Sequence, residues 1–322
     1  MPMDQAITRR RALGYGGAGV AAALLGSAAW APPAEAAGTY RSGWGNAVFE
    51  DDFSGSSLSS SRWNVRDRTY LSHDWSTISA ANVAVAAGAL KLTARKLASP
   101  VTTSDGRRRE WSGAEVNTLG KFSLEHGRWE VRAKMPAAPN RSVGLWAAVW
   151  LRPDDGSVPG EVDIVETYGS KSPQAKTKFD PTSRAETTVH FNQRRTGSLH
   201  GWSPSGTDIY SRWNTWAVEK TPAGVRGFFN GEKILDVPSG TAAYRAAFPA
   251  GKKLNLRISF QVGNSYWGRP TAATASGQSM ELDYVRVWKH QGDGVRSFLL
   301  QNLRRGAEGW AWQPDLRGLR ER

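Results

Sequence analysis

Short apolar runs, each closed by turn residues, repeat through residues 40–290. "NAVFEDDFSG", "NVAVAAGALKLTARK", "GRWEVRAKMP", "GLWAAVWLRP", "ETTVHFNQ", "TWAVEKTPAGVRGFFNGEKILDVP", "KLNLRISFQVG" and "MELDYVRVWKH" alternate or run apolar over strand lengths. Asn230-Gly231 between two apolar runs predicts a two-residue hairpin, and Gly88 in "VAAGALKL" predicts a second tight turn. Long helical periods and internal repeats are absent. The even strand spacing predicts a single all-β domain, a β-sandwich or jelly roll, over residues 38–290. Residues 291–322 lose the pattern and read as one short amphipathic helix or a loose tail.

One strand carries too much charge for its pattern. In "GEVDIVETYG", residues 160–169, Val162, Ile164 and Val165 argue for a buried face, yet Glu161, Asp163 and Glu166 interrupt them. Buried acids are costly unless paired or used. Side chains alternate along a strand, so Glu161 and Asp163 share a face. Glu166, five positions after Glu161, falls on the other face unless one β-bulge intervenes. With that bulge the two glutamates stand roughly 13 Å apart at the backbone. Side chains leaning inward could bring the carboxylates to about 5 Å, the separation at which one attacks carbon and the other donates a proton. Asp163 between them could share a proton with the nucleophile. An exposed polar strand face and half of a Ca²⁺ site are the competing readings.

The ends and the composition narrow the setting. "TRRRALGYGGAGVAAALLGSAAWAPPAEAAG" has an arginine-rich start, a weakly apolar stretch and a small-residue end at Ala34–Ala36. Residues 1–36 therefore read as a cleaved twin-arginine-type signal, with Ala12 where Phe is usual, rather than as a membrane anchor. A secreted protein with no membrane contact after signal removal is expected. There are no cysteines, which excludes a disulfide framework and thiolate chemistry. Net charge is +13, of which residues 1–36 supply +1. The arginines are scattered and no nucleic-acid motif is present, so a solvated basic surface is expected rather than nucleic-acid binding.

Fifteen tryptophans exceed ordinary usage. Most should be core in a β-sandwich, but the flat ring and N–H also suit the C–H faces and hydroxyl rims of sugars. Trp146 and Trp150 lie four apart on one strand, and either could line a cleft.

With these residues in view, the chain resembles glycoside hydrolase family 16. "EVDIVE" matches that family's bulged Glu-x-Asp-x-x-Glu signature. "GKFSLEHGRWEVRAKMP", "GLWAAVWL", "TTVHF" and "MELDYVRVW" resemble its other strands in the expected order, over about 250 residues. The resemblance implies a concanavalin A-like β-jelly-roll of two antiparallel sheets with an open concave cleft. It implies retaining endo-hydrolysis of a β-linked polysaccharide, with Glu161 as nucleophile, Glu166 as acid/base and Asp163 assisting. His190 would approach the acid/base region, against a plain core or surface histidine. Trp146, Trp150 and Trp267, the last in "GNSYWGRP", would stack on sugar. Asn64, Arg68 and Trp111 could also line the cleft. No cofactor is required; a structural Ca²⁺ on the convex side would use Asp283 and the carbonyl of Gly88. The family's Trp-Pro-Ala is Trp146-Ala147-Ala148 here, which weakens transfer of a substrate from any one subgroup. The expected substrate and partner is β-1,3 or mixed β-1,3/1,4-glucan, acted on by a monomer. An agarase- or carrageenase-like galactan hydrolase, a non-catalytic glucan-binding protein on the same fold and a structural cell-wall protein are the alternatives.

Overall fold

In the computed structural model the described residues are 38–71, 73–155, 160–170, 182, 184–192, 197–264 and 268–292. Residues 1–36, expected to be a signal, Trp267 and all but two residues of the tail lie outside them.

The apolar runs form fourteen principal strands. They are β1 (Phe49–Asp51), β2 (Val83–Ala86), β3 (Ala89–Thr102), β4 (Arg108–Asn117), β5 (Gly127–Lys134), β6 (Leu145–Pro153) and β7 (Glu161–Thr167). They continue with β8 (Glu186–His190), β9 (Ser198–Trp202), β10 (Asn214–Thr221), β11 (Gly224–Phe229), β12 (Glu232–Pro238), β13 (Leu254–Val262) and β14 (Gln278–Lys289). One short helix, α1 (Ala242–Ala247), starts where the Thr241 hydroxyl accepts from the Tyr244 N–H. Both predicted hairpins are present. Ala87 and Gly88 have φ of 55° and 70°, and Asn230 and Gly231 have 46° and 89°. Two successive left-handed residues are what a two-residue hairpin needs to match the strand twist.

Antiparallel pairing arranges the strands in two layers. One sheet runs β12-β11-β10-β5-β14, with β1 and β3 both on the far side of β14 and β2 beyond β3. The other runs β9-β8-β7-β6-β13-β4. The long strands β3 and β4 also pair with each other beyond Arg95 and so tie the layers together. This is the expected β-jelly-roll, and the core lies between the layers. Trp129 and Trp216 face it from the first sheet and Val149, Leu151, Ile258 and Phe260 from the second, all fully buried. Truncating a buried Trp such as Trp129 to Ala costs about 3–5 kcal/mol. Trp63, Trp111 and Trp288 are buried as well, so the core takes the larger share of the described tryptophans that are fully buried or cleft-lining.

The strand β4 and the strand β9 are not predicted from the pattern, because "RREWSGAEVN" and "SLHGW" mix charge, Gly and Ser instead of alternating. Both matter below, since β4 carries Glu115 and β9 carries His200.

Candidate active site

The strand β6 shows how the cleft is made. Leu145, Ala147, Val149 and Leu151 go into the core, so Trp146, Ala148, Trp150 and Arg152 face outward from the second sheet. Its neighbour β7 does the same with acids. Val162, Ile164 and Val165 are all fully buried in the core, which two adjacent residues can share only at a bulge. The register places it there. Val149 pairs with Val165 and Trp150 with Asp163, leaving Ile164 as the extra residue. The pairing to β8 shifts over the same stretch, between Asp163 and Glu166. The predicted bulge is therefore present, and Glu161, Asp163 and Glu166 form one outward row.

Across the next two strands this row becomes a grid. Glu161 faces His190, Asp163 faces Thr188 and Glu166 faces Glu186. Beyond them stand Ser198, His200 and Trp202. His190 Nε2 lies 2.9 Å from Asp163 Oδ2 and 3.9 Å from Glu161 Oε1, and its Nδ1 is 2.5 Å from Ser198 Oγ. His190 is thus held beside Asp163 and Glu161, rather than near Glu166, the expected acid/base. Glu166 is held by two donors: Trp146 Nε1–H to Oε1 and the Tyr168 hydroxyl to Oε2, both at 2.5 Å. The same hydroxyl lies 2.8 Å from Glu186 Oε2, whose other oxygen contacts His200 Nδ1.

The cleft has a volume of about 150 Å³. Glu115, Ser259, Gln261, Arg257 and Arg152 complete its walls, with His73 at one side. Trp150 donates to Ser259 Oγ at 3.1 Å and carries the Arg257 guanidinium over its ring at 5.1 Å. Both tryptophans therefore line the cleft. Arg66 binds Glu115 at 2.7 Å, so Glu115 is neutralised by a cation.

Burial sets the electrostatics. It raises Glu161 to about 7, helped by the charge of Asp163 and opposed by His190, Arg152 and Arg257. It raises Glu166 further, to about 8, helped by Asp163 and Glu186 and opposed by the Tyr168 and Trp146 donors. Asp163 is pushed well above the carboxylate range by burial and then by Glu186. Glu161, with 34% of its side chain exposed and cations nearby, is the easier of the two glutamates to ionise. The higher proton affinity falls on Glu166, the order a nucleophile and an acid require.

Three other candidates sit elsewhere. Trp111 is in the core at 4% exposure, because β4 turns it inward. Asn64 is spent on Asn117 Oδ1 and the Leu119 carbonyl. Arg68, at φ 50°, projects into solvent beside Asp67. For calcium, β3 pairing with β14 sets Gly88 and Asp283 near one another across neighbouring strands. The donor set fits a cation poorly, since Asp283 Oδ2 holds Arg132 at 2.5 Å. Ca²⁺ takes six or more oxygens, and among the described residues the one cluster of three metal-ligating side chains is Glu161, Asp163 and His190, in the cleft.

The family model described as "Beta-porphyranase A-D, GH16 domain" matches residues 45–290. The chain belongs to glycoside hydrolase family 16. Among curated relatives it is 27% identical to glucan endo-1,3-beta-glucosidase A1 of Niallia circulans, over 76% of this chain and 38% of the relative. It is 28% identical to a beta-glucanase of Rhodothermus marinus, over 56% and 63%. The chain thus spans less than two thirds of either relative. The laminarinase catalytic domain from Thermotoga maritima superposes with a TM-score of 0.64 at 22% identity, covering 76% of this chain and 98% of that one. That likeness confirms the jelly-roll fold.

Tyr168, Glu186, His200, Glu115, Arg152 and Arg257 were not expected in or behind the site. Tyr168 stands just past the acids, and Glu186 opens an apolar strand; an acid leading "TTVHF" was the one legible signal.

Proposed function

We propose that this chain is a retaining endo-hydrolase of β-1,3 or mixed β-1,3/1,4-glucan. The observation that carries the proposal is the bulged β7, which sets Glu161, Asp163 and Glu166 in one cleft-facing row beside two tryptophans. The glucanase relatives support the choice of polymer.

Glu161, ionised, attacks the anomeric carbon of a bound sugar. Glu166 gives its proton to the departing glycosidic oxygen, and a glycosyl ester forms on Glu161. Loss of the Glu161 charge lowers the proton affinity around it. Glu166, now ionised and held by Trp146 and Tyr168, takes a proton from water as that water attacks the same carbon, breaking the ester bond and freeing the Glu161 carboxylate. Asp163, buried against His190, keeps Glu161 oriented, and burial opposes its own ionisation. Trp146 and Trp150 offer ring faces to sugar. The chemistry calls on no metal.

A galactan hydrolase is the second reading, favoured by the name of the matching family model and by the arginine excess. A non-catalytic glucan-binding protein would have no use for a complete acid row. Export by the twin-arginine route is part of the proposal. It rests on residues 1–36, and N-terminal sequencing of the protein recovered from culture medium checks it.

The deciding experiment is product analysis with laminarin, barley mixed-linkage glucan, agarose, κ-carrageenan and porphyran, with the anomeric form of new ends followed by NMR. β-configured oligosaccharides from either glucan support the reading. Products from a galactan alone replace the substrate and keep the mechanism. α-configured products would overturn the roles of the two glutamates. Binding without products from any polymer brings the non-catalytic reading forward.

A further inference from the structure

Glu166 and Glu186 are directly opposite residues on β7 and β8. Like charges so placed repel, and Glu186 is fully buried. Between them stands one hydroxyl. Tyr168 Oη is 2.5 Å from Glu166 Oε2 and 2.8 Å from Glu186 Oε2, but a phenol has a single hydrogen to donate. Two ionised carboxylates would leave one short O···O contact without a proton. The cluster therefore calls for one more proton, and the partners decide where it goes. Glu186 Oε1 contacts His200 Nδ1, a ring 21% exposed and steadied by Thr188 Oγ1 at 3.3 Å. Each carboxyl thus has one partner besides the phenol, His200 for Glu186 and the Trp146 indole for Glu166. Glu166, which lines the cleft and is raised by burial to about 8, is the one that holds the proton.

We infer that Glu186 is a positioning residue for the acid/base, anchoring the Tyr168 hydroxyl so that it serves both protonation states of Glu166. With Glu166 protonated, the hydroxyl donates to Glu186 and accepts from the Glu166 carboxyl. Once that proton has gone to the leaving group, the hydroxyl turns to Glu166 Oε2. The ionised carboxylate then has two donors, Trp146 on Oε1 and Tyr168 on Oε2. A rotation of one hydrogen accompanies each proton transfer, and while both carboxylates are ionised Glu186 is left to His200. The inference rests on the assignment of Glu166 as acid/base.

Other titratable or charged groups stand around the same cleft and stay constant in the comparison. They are Asp163 and Glu161 on β7, Glu115 on β4, Arg152 on β6, His190 on β8, Arg257 on β13 and His73. Burial also raises Glu166, and Glu186 is the third contributor after burial and Asp163.

Two substitutions act with opposite sign. Glu186→Gln keeps the shape and removes a negative charge, so the Glu166 titration and the basic limb of kcat/KM move down by about one pH unit. Tyr168→Phe removes a donor to the ionised form, so both move up. Titration of ¹³C-carboxyl-labelled glutamate by NMR, with Glu166→Gln identifying the resonance, reads the effect without substrate. Opposite shifts in the two variants support the inference, whether or not the polymer assignment holds. Superimposable titrations in wild type and both variants overturn it, as do shifts of one sign. If Glu186→Gln does not fold, Tyr168→Phe still decides, since an unmoved or lowered Glu166 titration sinks the idea. Shifted titrations in a protein that cleaves none of the five polymers would retain the carboxyl pair and reject the proposed reaction.

Discussion

The Trp146 indole N–H donates to Glu166 Oε1 at 2.5 Å, so a residue expected to stack on sugar also holds the carboxyl proposed as acid/base. Both roles follow from its place on β6, one strand from the acid row. Trp146→Phe keeps a ring face and loses the N–H. A hydrogen bond to a charged group contributes about 1.5–3 kcal/mol, so kcat should fall roughly tenfold to a hundredfold. The basic limb of the rate profile should move up, because the lost donor favoured the ionised form. An unchanged kcat with an unchanged profile would show that the bond has no part in turnover.

Trp150 differs. Its N–H is committed to Ser259 and Arg257 covers part of its ring, so its contribution is contact area. Trp150→Ala should raise KM about threefold to tenfold, using typical aromatic contact energies, and leave kcat within about twofold. A collapse of kcat with constant KM would place Trp150 in the chemistry instead.

Glu161→Gln should remove hydrolysis to the detection limit while the protein still binds oligosaccharide, measurable by calorimetry. The amide fills the same space but is no nucleophile. Surviving turnover would mean that another group attacks the sugar.

Stability should fall as pH rises from about 5 to 8. Asp74, fully buried and raised by burial to about 7, binds its proton more tightly folded than unfolded, and Glu161 and Glu166 at about 7 and about 8 do the same. Acids raised on folding are stabilising while protonated and lose that contribution as pH climbs through the folded values. The thermal midpoint should therefore be several degrees higher near pH 5 than near pH 8. In Glu166→Gln the slope should be shallower. A midpoint that rises toward pH 8 in wild type would contradict the raised acids.

Gly169 follows Tyr168 at φ 65°, and a Cβ there would lie 1.7 Å from the Ser142 carbonyl oxygen. Gly169→Ala should destabilise the fold by roughly 2–4 kcal/mol and displace Tyr168 from Glu166. Denaturant midpoints check the first effect and kcat the second. A variant as stable as wild type would mean that the backbone can yield there.

Much of this was readable beforehand because the strands obey simple rules. The period-two runs in β6, β13 and β14 predict their own burial, and Asn230-Gly231 predicts its turn. The acid row was legible because three carboxylates on an apolar strand demand a reason, and the odd spacing of Glu161 and Glu166 demanded a bulge. What stayed hidden depends on neighbours distant in sequence. Glu115 reaches the cleft only because β4 pairs with β13, and Arg257 because β13 pairs with β6. Glu186 acquires its meaning from facing Glu166, and β8 alone does not reveal which strand it will face. His190 was expected near Glu166, but the antiparallel register puts it opposite Glu161 instead.

The single extra residue at Ile164 acts as a half-period phase shift in a pattern of period two. Upstream of it, odd-numbered side chains reach the cleft; downstream, even-numbered ones do. Insertion or loss of one residue between Asp163 and Glu166 would exchange Glu166 with a core neighbour and leave every other strand unchanged. The segment should thus accept substitutions at its apolar positions far more readily than any one-residue change in length. Catalytic competence here is stored in a parity, and parity has no intermediate values through which it can drift.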